Sequence, residues 1–226
     1  MLVELASVFS TATKYLPVFH QQVTSLQDAL TSDGHELHLI LVEGDSRDNT
    51  WDELHRLFPS ADIIKRAHGG PRYGSVVNTD RFRQLSYVGN GVFERVSGDV
   101  LVYVESDLLW DANTIRLLIS RLERVPAVVP MVFYEDNAFY DVWAFRKDGV
   151  RFNHHPPYHT AIHSGELAQL DSAGSCMVMR GEMAKVVSFP PEDCFVGLCR
   201  LAYENGFSIW LDPTLRVTHP FHEKQR

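Results

Sequence analysis

The stretch Val100-Leu-Val-Tyr-Val-Glu-Ser-Asp-Leu-Leu-Trp110 is an unbroken apolar run that stops abruptly at two carboxylates, Glu105 and Asp107. A continuous rather than alternating pattern reads as a strand buried on both faces, in a sheet covered by helices on each side. Residues two apart on a strand point the same way, so Glu105 and Asp107 converge. Two carboxylates at a strand end repel unless a cation sits between them. Hard oxygen ligands of this kind suit Mg²⁺ or Mn²⁺, completed by substrate phosphates and water. The plainer alternative is a solvated acidic turn after a core strand.

Outward from this run, strands and helices alternate. Leu2 to Phe9 reads as a first strand, followed by a turn at Ser10-Thr11-Ala12-Thr13. Pro17 opens a helix with the apolar stripe Phe19, Val23, Leu26 and Leu30, and Gly34 stops it. Leu37 to Val42 is a second apolar strand, and it too ends in acid, at Glu43-Gly-Asp-Ser-Arg-Asp-Asn-Thr50. Asp48 or Asn49 caps a short helix carrying Trp51, Leu54 and Leu57. Asp62 to Lys65 is a short strand, His68 to Gly74 a loop, and Asn78 to Val96 roughly the extent of a helix. Asp111 caps the next helix, with Ile115, Leu118, Ile119 and Leu122 inward, and Ala127 to Phe133 is another buried strand. The alternation predicts an α/β fold with a mostly parallel central sheet flanked by helices. Ligands gather at the carboxyl ends of strands in such sheets, and two of those ends here are acidic.

After Tyr134 the pattern changes. Tyr140 to Phe145 reads as a strand. Arg146 to Leu170 shows no periodicity and carries His154, His155, Pro156, Pro157, His159 and His163, so a functional or mobile loop is expected there. Ser175 to Arg180 is a strand and Gly181 to Val187 a short helix. Pro191 takes the first position of a further helix, with Glu192 and Asp193 in its first turn, and Gly206 stops it. Ser208 to Leu211 and Leu215 to Val217 are short strands, just ahead of His219.

The 226 residues, 45% hydrophobic, suffice for one sizeable core, and a single domain over 1–226 is expected. Within it, 1–135 would form one half and 136–226, with the irregular segment, the other. The formal charge of −8 gives no general affinity for nucleic acid or anionic membranes. Cys176, Cys194 and Cys199 lack paired motif spacing and read as reduced, buried thiols of a cytoplasmic protein. No stretch approaches the roughly 20 apolar residues that span a bilayer. The acidic Glu4 and the early end of the first run argue against a signal peptide.

Four of these segments, in this order, resemble glycosyltransferase family 2. Val42-Glu-Gly-Asp-Ser-Arg-Asp-Asn-Thr50 resembles its acidic strand end and Ser-x-Asp-x-Thr turn, and Glu105-Ser-Asp107 its Asp-x-Asp motif. Glu192-Asp193 with Arg200 and Gly206, then Val217 to His219, resemble its Glu-Asp helix and closing segment. Glu43-Gly-Asp-Ser46, Tyr140-Asp-Val-Trp143 and Gly174 ahead of Phe189-Pro190 are also similar to the family 62 mannosyltransferases. Family 2 inverts the anomeric centre and family 62 retains it.

The resemblance implies the GT-A fold, a nucleotide-sugar donor (a UDP- or GDP-sugar), Mn²⁺ or Mg²⁺, and hexosyl transfer to an acceptor hydroxyl; it makes 1–135 the nucleotide-sugar-binding half and 136–226 the acceptor-binding half. It implies Asp107 and His219 as metal ligands, with Glu105 holding the metal through water or touching the ribose. Glu43 would meet the base or ribose, with Ser10 and Asp45 beside it on the first two strand ends. Family members carry an Arg-Asn pair ahead of the metal strand; Asn90 matches, Gly89 replaces the Arg, and Arg81 or Arg83 would supply the phosphate contact. Asp193, with Glu192, would be the catalytic base on the acceptor. The acceptor stays open among glycan, lipid, protein and a modified nucleic acid base. A nucleotidyltransferase of related fold would want a glycine-rich loop after the first strand, where Ser10 to Thr13 stand. A non-catalytic nucleotide-sugar-binding subunit is a third reading, and a zinc hydrolase on the histidines of 154–163 a fourth.

Overall fold

The computed structural model describes residues 1–74, 77–163 and 165–220. Its centre is β4 (Val100–Val104), buried at all five positions, which requires cover on both faces of the sheet. β4 pairs in parallel with β1 (Leu2–Phe9), setting Val3 opposite Val100. β1 pairs in parallel with β2 (Glu36–Glu43), and β2 with β3 (Asp62–Lys65). Parallel neighbours need long crossovers, and α1 (Leu16–Ser32), α2 (Thr50–Leu57) and α3 (Thr79–Phe93) provide them. The stripe of α1 is buried as its period predicts, through Phe19, Val23, Leu26 and Leu30.

On the other side of β4 the chain returns. α4 (Ala112–Arg121) starts where Asp111 Oδ1 accepts a bond from Thr114 N at 2.8 Å, and α4 packs on α1. Then come β5 (Ala127–Tyr134), a small hairpin of β6 (Arg146–Lys147) and β7 (Val150–Arg151), β8 (Ala168–Leu170) and β9 (Cys176–Arg180). α5 (Gly181–Ala184), α6 (Phe195–Glu204) and β10 (Ile209–His219) complete it. The main sheet has eight strands in the order β3-β2-β1-β4-β9-β5-β10-β8, with β8 and β9 against the rest.

A buried carboxyl fixes the entry to β4. Glu4, fully buried on β1, accepts bonds from Ser97 N at 3.0 Å, Ser97 Oγ at 2.9 Å and Gly98 N at 2.9 Å. Such burial costs free energy unless the group is hydrogen-bonded, and here it is. Asp99 Oδ2 also accepts from Leu2 N at 2.8 Å.

Four local expectations are corrected. Tyr140 to Phe145 turns instead of extending, because Asp141 Oδ1 takes Ala144 N at 3.1 Å and Asp141 O takes Phe145 N. Within 146–170 lie the hairpin, a 3₁₀ turn at Thr160–His163 and edge strand β8. The hairpin turn is Asp148-Gly149, both at positive φ (53° and 76°), the residue pair that favours a two-residue connection. The two expected strands near the end are one, β10, because Asp212 caps Thr214 and the chain bulges between Asp212 and Arg216. Finally, α6 begins at Phe195, not Pro191: Cys194, at φ 48°, breaks the backbone, and Glu192 and Asp193 lie in the preceding turn.

Candidate active site

The carboxyl ends of β1, β2, β4, β5 and β10 share one edge of the sheet, since these strands are parallel. Two strands, β9 and β5, separate β4 from β10 in that edge. The segment after β4 crosses the gap. Glu105 N donates to Ser175 O at 2.9 Å; further on, Leu109 and Thr218 exchange backbone bonds at 2.7 and 2.9 Å. This tether brings Asp107 Oδ2 to 3.4 Å from His219 Nε2. Ligand atoms of Glu105, Asp107 and His219 lie within 4.8 Å of one another. His219 is buried, stacks on Tyr140 with centroids 3.8 Å apart, and sets Nδ1 2.7 Å from Pro220 O. A carbonyl only accepts, so Nδ1 donates to it, and Nε2 is the nitrogen left for a cation between the carboxylates. Two carboxylates and one imidazole of fixed tautomer fit a cation such as Mn²⁺.

The electrostatics of the acids also fit a cation. Burial, then Asp107, then Asp141 push the Glu105 carboxyl up to about 8. Asp141 is raised as well, chiefly by burial, although Ala144 N and Ser175 Oγ (2.8 Å) bond to it. Three acids thus crowd one end of the sheet, and Arg81 lies close enough to Glu105 to oppose the effect. Desolvation and like charge both favour the neutral acid, and a bound divalent cation reverses that balance.

The ends of β1 and β2 form a second part of the site. Glu43 is buried; its Oε1 accepts from Ser46 N at 2.6 Å, while its Oε2 has no hydrogen-bond partner and sits 3.9 Å from Lys65 Nζ. Asp45, at φ 51°, takes His68 N at 2.6 Å and Gly69 N at 3.0 Å, and these bonds outweigh its burial and hold its pKa low. Arg72 reaches Ser10 Oγ at 3.4 Å, Asp45 O at 2.7 Å and Thr11 Oγ1. A cavity of about 290 Å³ lies between Asp45, Ser46, Arg47, Gly69, Gly70 and Arg72.

The third part faces the segment before α6. Asp193 Oδ1 is buried without a hydrogen-bond partner, and Asp193 Oδ2 lies 3.4 Å from Arg200. Gly197 leaves room for this carboxylate: a Cβ there would overlap Asp193 Oδ1 and meet Pro190 Cγ at 2.7 Å.

The family model for glycosyl transferase family 2 matches residues 8–188. The chain belongs to that family. No curated protein sequence matches it. Among solved structures it is similar to S. aureus TarS 1-349, with TM-score 0.63, 11% identity, and coverage of 97% of this chain and 60% of that one. The same fragment in complex with UDP-GlcNAc gives TM-score 0.61, 12% identity, and coverage of 100% and 60%. GalNAc-T7 with UDP, GalNAc and Mn²⁺ gives 0.61, 14% identity, and coverage of 99% and 44%. The chain thus spans about three fifths of the TarS fragment. At such low identity these likenesses show the fold, which is GT-A.

In this family 2 member the structure brings Glu105, Asp107 and His219 together, with Arg81 near them. It places Glu43, Ser10 and Asp45 on the neighbouring strand ends. It does not bring Asn90 to the site: Nδ2 donates to Phe189 O at 3.0 Å and Oδ1 accepts from Phe189 N at 2.7 Å, so this amide clamps a loop. Glu192 is exposed, and neither it nor Asp193 lies in a helical first turn. The histidines of 154–163 form no metal-holding group among the described residues. No helix of the described residues is long and apolar enough to cross a membrane. Asp141, Ser175 and Tyr140 were missed as site residues, although Tyr140-Asp-Val-Trp143 stood out in the sequence.

Proposed function

We propose that this chain transfers a sugar, a hexose, from a UDP- or GDP-sugar to an acceptor hydroxyl, at a divalent cation held by Asp107, His219 and Glu105. The observation that carries this reading is the convergence of those three side chains at the carboxyl edge of the sheet, on which β2 also ends, at Glu43. Two similar structures support it, one a complex with UDP-GlcNAc and one with UDP, GalNAc and Mn²⁺. When bound, the cation would neutralise charge growing on the departing diphosphate.

The chain's own residues divide the rest. Glu43 Oε2 is an acceptor for an N–H of the base, and its burial makes that bond selective. Ser10, Asp45 and Arg72 wall the nucleotide cleft, and Arg81 faces the diphosphate. Asp193 Oδ1, buried and unpartnered, takes the acceptor hydroxyl's proton, which makes the reaction inverting. Retention would turn the reading toward family 62. Segment 146–170 covers the acceptor. The three buried free thiols support a cytoplasmic setting.

The deciding test is Asp107→Asn. Nucleoside diphosphate binding by the parent should require Mn²⁺, and 100 times the dissociation constant should stabilise it by about 2.7 kcal/mol. The variant should fold and lose the Mn²⁺-dependent gain. Equal affinity of both proteins in Mn²⁺ would refute the assignment. Mn²⁺-dependent binding without turnover on any acceptor would favour the non-catalytic reading.

A further inference from the structure

We propose that the acceptor carries an anionic group, a phosphate or a carboxylate, seated on Arg146 and Arg151 over Trp143; this builds on the sugar-transfer reading above. The hairpin of β6 and β7 sets Arg146 directly opposite Arg151. Like charges directly across a strand pair are destabilising, and the Asp148-Gly149 turn fixes the register that pairs them. One indole gathers both cations: the Arg151 guanidinium is 4.4 Å from the Trp143 ring centroid and that of Arg146 5.3 Å. Phe82 stacks on the same indole at 5.4 Å and holds it in place.

No carboxylate of the described residues forms an ion pair with either arginine. Arg116, Arg121 and Arg200 each meet a carboxylate, at 2.7, 2.8 and 3.4 Å. Neither Arg146 nor Arg151 has one within 4.0 Å among the described residues. The Nε of Arg146 is buried and has no hydrogen-bond partner, and the Nε1 of Trp143 shares that condition. Two buried donors without acceptors, one of them cationic, beside the exposed Arg151 guanidinium, suit oxygen anions. Burial and Arg151 together lower the Arg146 pKa, while Asp193 and Asp171 act on it from further away in the opposite sense. The patch is linked to the proposed reaction centre through two carboxylates. Asp141, two residues from Trp143, acts on Glu105, and Asp193 acts on Arg146. An anion held here would leave a neighbouring hydroxyl within reach of Asp193.

The test uses glycerol 3-phosphate, glycerate and glycerol, which share one carbon skeleton, titrated calorimetrically into the full chain without nucleotide or metal. Both anions, or one of them, should bind measurably and glycerol should not. Tighter binding of the phosphate assigns a phosphoryl acceptor, and tighter binding of glycerate a carboxylate one. Arg151→Gln, at an exposed position, should melt no lower than the parent and weaken the anions about tenfold or more. The proposal is overturned if the anions bind no better than glycerol, or if Arg151→Gln binds them like the parent. It is also overturned if Asp107→Asn or Arg81→Gln, and not Arg151→Gln, changes anion affinity, since the anion would then sit on the donor side. No donor enters the measurement, so a failure of sugar transfer leaves this outcome separately readable.

Discussion

Replacing Glu105 by Gln should make the metal-free protein more stable at alkaline pH while removing its response to metal. Burial and two neighbouring acids move the Glu105 carboxyl from 4.5 to about 8. The raised value means the folded chain holds its proton where the unfolded chain has released it. Stability from this group is therefore intact below 4.5 and is lost as the pH climbs from 4.5 to about 8. At about 1.4 kcal/mol for each pH unit, the loss reaches at most about 5 kcal/mol above pH 8. Gln keeps the shape and carries no charge, so Glu105→Gln recovers that amount. For a chain of this size the gain corresponds to about 10 °C in melting temperature. The assay is thermal unfolding in EDTA at pH 5 and pH 8.5, repeated with Mn²⁺ and UDP. Parent and variant should melt together at pH 5 and apart at pH 8.5, and only the parent should gain from Mn²⁺. A variant that melts at or below the parent at pH 8.5 in EDTA would refute the reasoning, because the crowding of Glu105, Asp107 and Asp141 would then carry no cost.

Three further outcomes are expected. Asp193→Asn should lower turnover by about 10²–10⁴ and leave donor affinity nearly unchanged, and anomeric retention in the product would rule the base role out. Gly197→Ala should displace the Asp193 carboxylate, since the added methyl meets Pro190 Cγ at 2.7 Å and overlaps Asp193; turnover should fall while metal-dependent nucleotide binding persists, and unchanged turnover would contradict it. Limited proteolysis should cut first within 146–170, and donor nucleotide with Mn²⁺ should slow the cutting; resistance equal to that of the core would end the idea of a closing segment.

The parallel half of this fold was legible because its signals are long and redundant. The run at Val100, the stripe of α1 and the Asp111 cap each agree between sequence and structure. What escaped was fixed by single side chains or short pairings. Asp141 bends its own segment by one hydrogen bond, which no hydrophobic period records. β8 is three residues long, below the length at which alternation can be counted. The Asp148-Gly149 pair did announce its hairpin, but it was surrounded by histidines and prolines that read as loop. At the site, spacing made Glu105 and Asp107 neighbours, and only the resemblance placed His219 beside them. The Leu109–Thr218 bonds that join them connect residues 109 positions apart. Cys194, at positive φ, makes the helix start later than Pro191 suggests, and so removes the dipole argument for Asp193.

If Glu105, Asp107 and His219 hold a cation as proposed, the backbone exchange between Leu109 and Thr218 also sets when, as the protein matures, that cation can be captured. Two of the three ligands belong to a turn that follows an early central strand, and the third sits at the tip of β10, whose neighbours β5 and β8 must already be aligned. A nascent or misassembled chain can build most of the sheet and still present only a pair of acids to the solvent. Cation affinity then gauges whether assembly is complete, and chelation should loosen β10 before any other strand. In a hydrogen-exchange experiment the Thr218 amide would report that loosening first, well ahead of the amides of β1.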